Sequence, residues 1–304
     1  MRAWVLVASG ALAAGCATGR SGTSLAPPAT PSPSSPSPAV SPPPPAPPAA
    51  PTTHGSDPVR YGPSALRYVV HRQLHIQQSL GDQIQIQNVG ARIFVAVTIS
   101  GPADSVGYPT TFTVDSIAAD SGMPPVIADN ITKVRKLVFA GRVVRRGEFV
   151  NAVASDSALA QSQSVGQVLG NFRDFLPRLP LEGLKPGATW TDTVTTTQKG
   201  SDAAGSRRSI VHATAMEWPV TSGRPSLRVE TTQTYEVTGS GKNTGQPYEL
   251  SGTGTASGTA FITTDGRYLG GEARDSTTLT IRLPMQGMAV PVIQVAHTTV
   301  AVLP

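Results

Sequence analysis

From residue 61 onward, apolar side chains recur at every second position, a period that fits a half-buried strand and not a helix. In LRYVVHRQLHIQQSL the even positions Leu66, Tyr68, Val70, Leu74, Ile76 and Leu80 are apolar, and the odd ones are mainly polar. ARIFVAVTIS continues with Ile93, Val95, Val97 and Ile99 on one face, and TTFTVDSI follows. The C-terminal third reads as strands near 189–198, 206–218, 226–238, 248–262, 267–282 and 290–303, separated by turn signals. TTDGR at 263–267 carries the Asp-Gly pair of a tight hairpin. Links this short favour antiparallel neighbours over βαβ crossovers.

Two stretches break the alternation and predict amphipathic helices. After Pro124-Pro125, Ile127, Ile131 and Val134 recur at helical spacing, with Lys133, Arg135 and Lys136 outside. In SVGQVLGNFRDFL, Val165, Val168, Leu169, Phe172 and Leu176 follow the i, i+3, i+4, i+7 pattern, and Pro177 ends it. The expected fold is mostly β: a curved antiparallel sheet, half-barrel or sandwich-like, carrying two helices.

One strand needs its own explanation. In YELSGTGTASGTAFI, Gly252, Gly254 and Gly258 share a face with Ala256 and Ala260. Glycine weakens a strand, so three on one face suggest bending or close approach of something to the backbone. A sheet curled around a ligand, with these glycines as groove lining, is one explanation. A low-complexity edge strand is the other.

Ahead of the strands the composition is different. Residues 17–58 include PPATPSPSSPSPAVSPPPPAPPAAP, and 14 of the 28 prolines lie in the first 58 positions. Such a stretch builds neither ladder nor helix. Polyproline II, at about 3.1 Å per residue, would make it a semi-rigid spacer on the order of 100 Å long. Before it stands Arg2, then the apolar run Ala3-Trp4-Val5-Leu6-Val7-Ala8, then small residues, the pattern of a secretory signal. That run is too short to span a bilayer. It ends in Leu12-Ala13-Ala14-Gly15-Cys16, which resembles the lipobox of bacterial lipoproteins, although the favoured leucine three before the cysteine is Ala13. The resemblance implies cleavage before Cys16, acylation of that residue, and attachment to a membrane. Ala17, in place of an aspartate, implies the outer membrane if the cell has two. Cys16 is the only cysteine, so the folded body holds no disulfide and must be stable through its core. The expected organisation is a signal peptide at 1–15, a lipid-anchored linker at 16–58 and a β-rich domain at 59–304.

Chemistry-bearing patterns are sparse. His71 and His75 would chelate a metal from one helix face, but on a strand they lie about 13 Å apart, so no metal site is expected. His54, His212 and His297 are isolated. GSGKNTG at 239–245 lacks the glycine and the Ser/Thr of a phosphate loop and reads as a hairpin. GTGTASG at 252–258 lacks dinucleotide-fingerprint spacing. No G-x-S-x-G elbow occurs. No enzyme activity and no cofactor are therefore expected. Lys133, Arg135, Lys136, Arg142, Arg145 and Arg146 form a basic bunch in a chain of net charge +5. They are either a patch for anionic lipid, polysaccharide or an envelope protein, or a solvated helix face and hairpin tip. Nucleic acid is not an expected partner.

FRDFLPRLPLEGLKPGATWTDTV (172–194) and FITTDGRYLGGEARDSTTLTI (261–281) resemble segments of uncharacterised β-rich bacterial envelope proteins. The resemblance implies a helix ending in Leu-Pro that leads into a Gly-x-x-Trp strand and a hairpin meander, and implies no chemistry. More distantly, a curved sheet holding helices is similar in plan to periplasmic lipoprotein carriers. Two functions follow as expectations: a module receiving a lipid or other apolar group in the curved sheet, or an envelope structural and interaction module with a solid core.

Overall fold

The computed structural model describes residues 57–121, 123, 135–155, 172–199, 203–216, 218, 220–221, 223–243 and 245–304. They form one antiparallel sheet. Its strands are β1 (Ser64–Leu80), β2 (Gln83–Ile99), β3 (Tyr108–Ala119), β4 (Val138–Val143), β5 (Phe149–Ala154), β6 (Thr189–Lys199), β7 (Ala203–Ala215), β8 (Val220–Thr221), β9 (Arg224–Asn243), β10 (Gln246–Thr263), β11 (Tyr268–Leu283) and β12 (Met288–Val302). Their spatial order is β5-β4-β3-β2-β1-β12-β11-β10-β9-β7-β6, with the two-residue β8 paired to β9 off this path. Two meanders are thus joined by one long-range pairing, in which Tyr68 of β1 lies opposite Val302 of β12. The ladder is open, ending at β5 on one side and β6 on the other.

The alternation chooses the faces. Leu66, Tyr68, Val70, Leu74 and Ile76 turn one way, and the register carries that face through Val95 and Val97 of β2 to Phe112 of β3. In the other direction it runs through Val300, Gly271, Ala260 and Val229 to Ala215 of β7. Residues from both meanders meet in one buried cluster, from Phe139 and Phe149 near one edge to Ala213 and Leu227 near the other. A single cluster can join both edges only if the sheet wraps around it, so this face is concave.

The segment 172–188 fills the concavity at one end. Phe112 stacks on Phe172 at 4.9 Å between ring centroids, and Phe175 meets Tyr68 edge-on at 5.1 Å. Leu176, Leu179 and Leu184 are buried there. The chain before β1 pins the segment from outside: Val59 and Leu184 exchange backbone hydrogen bonds at 2.8 Å, and the Tyr61 hydroxyl donates to Pro177 C=O at 2.6 Å. Val59 and Tyr61, near the first of the described residues, are thus part of the folded body.

Side chains close the seam that the ladder leaves open. Arg146, in the β4–β5 turn, donates to Asp192 of β6 at 2.7 Å. Arg178 contacts Glu148 at 2.6 Å, Asp174 at 2.8 Å and Asp192 at 3.6 Å. Burial acts to lower the Arg178 pKa, but its bond to Asp174 and the charges of Asp174, Glu148 and Asp192 outweigh it and raise the value.

The structure corrects one expectation. The described residues contain no α-helix longer than a turn, so no pair of amphipathic helices packs on this sheet among them. The first expected helix (127–134) lies outside the described residues. Of the second, only Phe172–Leu176 is described. There the Phe175 amide donates to Phe172 C=O at 3.2 Å, and the chain then runs without helix from Pro177. One turn suffices to bring Phe172, Phe175 and Leu176 to the core, which is why the spacing looked helical. Two short strands, β4 and β5, were not expected from the sequence. The 263–267 turn is as expected, with Gly266 at φ 76°.

Candidate functional site

The register lines up a row of residues across the concave face. Starting at Arg72 of β1, it passes Thr298 of β12, Ala273 of β11, Gly258 of β10, Thr231 of β9 and Ala213 of β7, and ends at Trp190 of β6. Between Arg72 and Thr231 every side chain is small, so the row is a trough about 19 Å long at ordinary strand spacing. It is open to solvent. Ala273 is exposed although it points the same way as the buried Leu279 and Ile281 of its own strand, and Thr298, Gly258 and Thr231 are half-buried.

Apolar clusters flank the trough. On one side lies the aromatic core around 172–188. On the other, Leu74, Ile76, Leu279, Ile281, Val290 and Val292 form a second cluster.

Polar groups gather where the trough meets this second cluster. Asp275 Oδ1 accepts from the Tyr235 hydroxyl at 2.6 Å and from Thr277 Oγ1 at 3.0 Å. Its Oδ2 accepts from Arg207 at 3.4 Å. Arg207 lies over the Tyr235 ring, 3.6 Å from the centroid, and donates through Nε to Ser209 at 3.3 Å. Burial and the Asp275 hydrogen bond push the Tyr235 phenol up to about 12, against smaller opposing effects of Thr277 and Arg207. Arg72 is different: its Nε is buried and has no hydrogen-bond partner among the described residues. Burial pulls the Arg72 guanidinium below its ordinary pKa and Arg207 adds to that, while Asp275 and Tyr235 oppose it.

The sequence-predicted glycines all lie on the concave face, in three different settings. A Cβ on Gly254 would sit 2.3 Å from the Tyr235 hydroxyl and ring, so this glycine lets the tyrosine lie across the strand. At Gly252 the Cβ would meet the Thr278 carbonyl oxygen at 2.3 Å and Leu279 Cδ2 at 2.7 Å. Only Gly258 borders the open trough. The close approach expected of these glycines is thus made, at Gly252 and Gly254, by the protein's own atoms: a neighbouring strand's backbone at the first and the Tyr235 side chain at the second.

The other flagged residues are dispersed. His71 contacts Asp120 at 2.7 Å and His75 contacts Asn88 at 2.8 Å, both on the convex face. Among the described residues no group of three His, Cys, Asp or Glu side chains is placed to hold a metal. Of the basic bunch, Arg142 pairs with Asp104 at 2.6 Å and Arg146 closes the seam. Lys133 and Cys16 lie outside the described residues. Sequence reasoning missed Arg72, although its even position in β1 placed it on the apolar face.

No family model matches this chain, and no curated protein matches it. Among solved structures it is similar to OccK2 (OpdF) of Pseudomonas aeruginosa at 8% identity, over 79% of this chain and 98% of that one. The TM-score is 0.24, and a likeness at that level carries no argument. The convex face bears Glu230, Glu236, Arg274 and rows of threonine and serine along β9–β11.

Proposed function

We propose that this chain is a lipoprotein of the bacterial envelope, held to a membrane through acylated Cys16 and a proline-rich spacer, whose curved sheet binds a lipid or similar apolar ligand. In a cell with two membranes the outer one, on its periplasmic face, is the site we favour. The observation that carries the binding function is the open trough: small residues at Thr298, Ala273, Gly258 and Thr231 leave a channel between two apolar clusters where bulky side chains would otherwise close the core. The test is to purify the full chain, extract it with organic solvent and assay the extract by mass spectrometry. Lipid at near-equimolar yield supports a binding module. A folded protein that yields none contradicts it. For the anchor, Cys16→Ser should move the protein out of the membrane fraction, and retention there would contradict acylation.

A second function is favoured by one feature of the convex face. Ile86 and Ile293 flank Gln77 across β2, β1 and β12, with Ile84 and Val295 beside them, and all four isoleucine and valine side chains are exposed. Such a patch suits an envelope interaction module. Ile86→Lys would abolish association with an envelope protein in that case and leave lipid yield unchanged.

A further inference from the structure

Binding in the trough leaves open what the ligand's polar end is, and the charges on the concave face bear on that. Along the inward rows of β1, β12, β11, β10, β9 and β7 the charged residues are Arg72, Arg207 and Asp275. Two guanidinium groups therefore face one carboxylate, an excess of one positive charge. Both oxygens of that carboxylate are engaged: Oδ1 by Tyr235 and Thr277, Oδ2 by Arg207. Arg207 in turn has Asp275, Ser209 and the Tyr235 ring. Arg72 is left with a buried Nε that no described group accepts from. Arg72 is half-buried, and a buried N–H donor left without an acceptor is costly, so an incoming acceptor at that Nε would be favourable. A guanidinium presents a planar fork of donors matched to the oxygens of a carboxylate or phosphate. Arg72 also stands at one end of the trough, with Thr298, Ala273, Gly258 and Thr231 leading away from it.

We infer that the ligand is an oxyanion-headed amphiphile, with its carboxylate or phosphate on Arg72 and its apolar chain lying along the trough toward Thr231. This rests on the binding function proposed above. Asp275 and Tyr235 act as positioning residues: they hold Arg207 in place and leave the excess charge on Arg72.

The test uses the full chain carrying Cys16→Ser, so that its own acyl group cannot compete. Isothermal titration compares dodecyl phosphate, dodecanol and inorganic phosphate. Charge-assisted hydrogen bonds to a buried guanidinium should make dodecyl phosphate bind about 10- to 100-fold more tightly than dodecanol. Arg72→Gln should bring dodecyl phosphate down to the level of dodecanol and leave dodecanol unchanged. The comparison of the three ligands in the Cys16→Ser chain needs no change at Arg72, so it decides even if Arg72→Gln fails to fold. Equal binding of dodecyl phosphate and dodecanol would overturn the oxyanion inference while apolar binding survives. Inorganic phosphate binding as tightly as the amphiphile would support the oxyanion site and overturn the apolar one. Binding by none of the three overturns both.

Discussion

The concave face is built throughout from the same alternating strands, yet it is sealed at one end and open across its middle, before a second apolar cluster begins. At the sealed end, 172–188 brings Phe172, Phe175 and Leu179 onto Phe112 and Tyr68, and the Arg146–Asp192 and Arg178–Glu148 pairs close the seam above them. Beyond it, the residues on the inward row shrink to threonine, alanine and glycine, and the Arg72 guanidinium stands at the head of the row. Period-two patterning decides which side chains face inward. Their size, together with a segment from outside the strands, decides whether the inside is full.

Several substitutions can break or sharpen that contrast. The largest effect belongs to the sealed end. Phe112→Ala removes a fully buried ring that touches Phe149, Phe172 and Phe175. It should cost about 3–5 kcal/mol in urea unfolding. A loss under about 1 kcal/mol would mean that the end is not packed as described. Next comes the tyrosine brace of the open part. Gly254→Ala forces a methyl group against Tyr235 and should cost about 1–3 kcal/mol, whereas Gly258→Ala, whose nearest contact is 3.0 Å, should cost less. Equal costs would contradict the placement of Tyr235. Smaller, and of opposite sign, is Arg72→Met. Replacing a half-buried guanidinium whose Nε has no acceptor with an apolar chain should raise stability by about 1 kcal/mol in the ligand-free protein, and a fall in the thermal midpoint would show that attraction to Asp275 outweighs the burial of the charge.

The smallest effect is in alkali. The Tyr235 phenol is held neutral up to about 12, chiefly by burial and then by Asp275. An unfolded tyrosine ionises near 10, so the neutral phenol stabilises the fold fully below about pH 10. That contribution is lost as pH rises toward 12. In an absorbance titration at alkaline pH, Asp275→Asn should bring the Tyr235 transition down, and an unmoved transition would remove Asp275 from its surroundings.

Much of this architecture was legible in the residues. The even positions of β1 and the odd positions of β2 gave the concave face, and Asp265-Gly266 gave a hairpin. What could not be read has physical causes. The strands β4 and β5 are short, and an arginine-rich turn masks their alternation. The β1·β12 pairing joins residues more than two hundred positions apart, so nothing local encodes it. The trough exists only once four registers are superposed, although its individual alanine and glycine are plain in the sequence. Arg72 was visible as a polar residue between Val70 and Leu74, and only the neighbouring strands show that its Nε has no acceptor among the described residues.

Cysteine accessibility tests the contrast most directly, because the natural chain has a single thiol. In a Cys16→Ser background, Ala273→Cys and Ala213→Cys place thiols on the same row, one in the exposed trough and one 4% exposed at its sealed end. A small thiol reagent should modify the first at the rate of a free cysteine and the second only as fast as the protein unfolds. Equal protection at both positions would mean that the concave face is filled throughout, with no trough to receive a ligand.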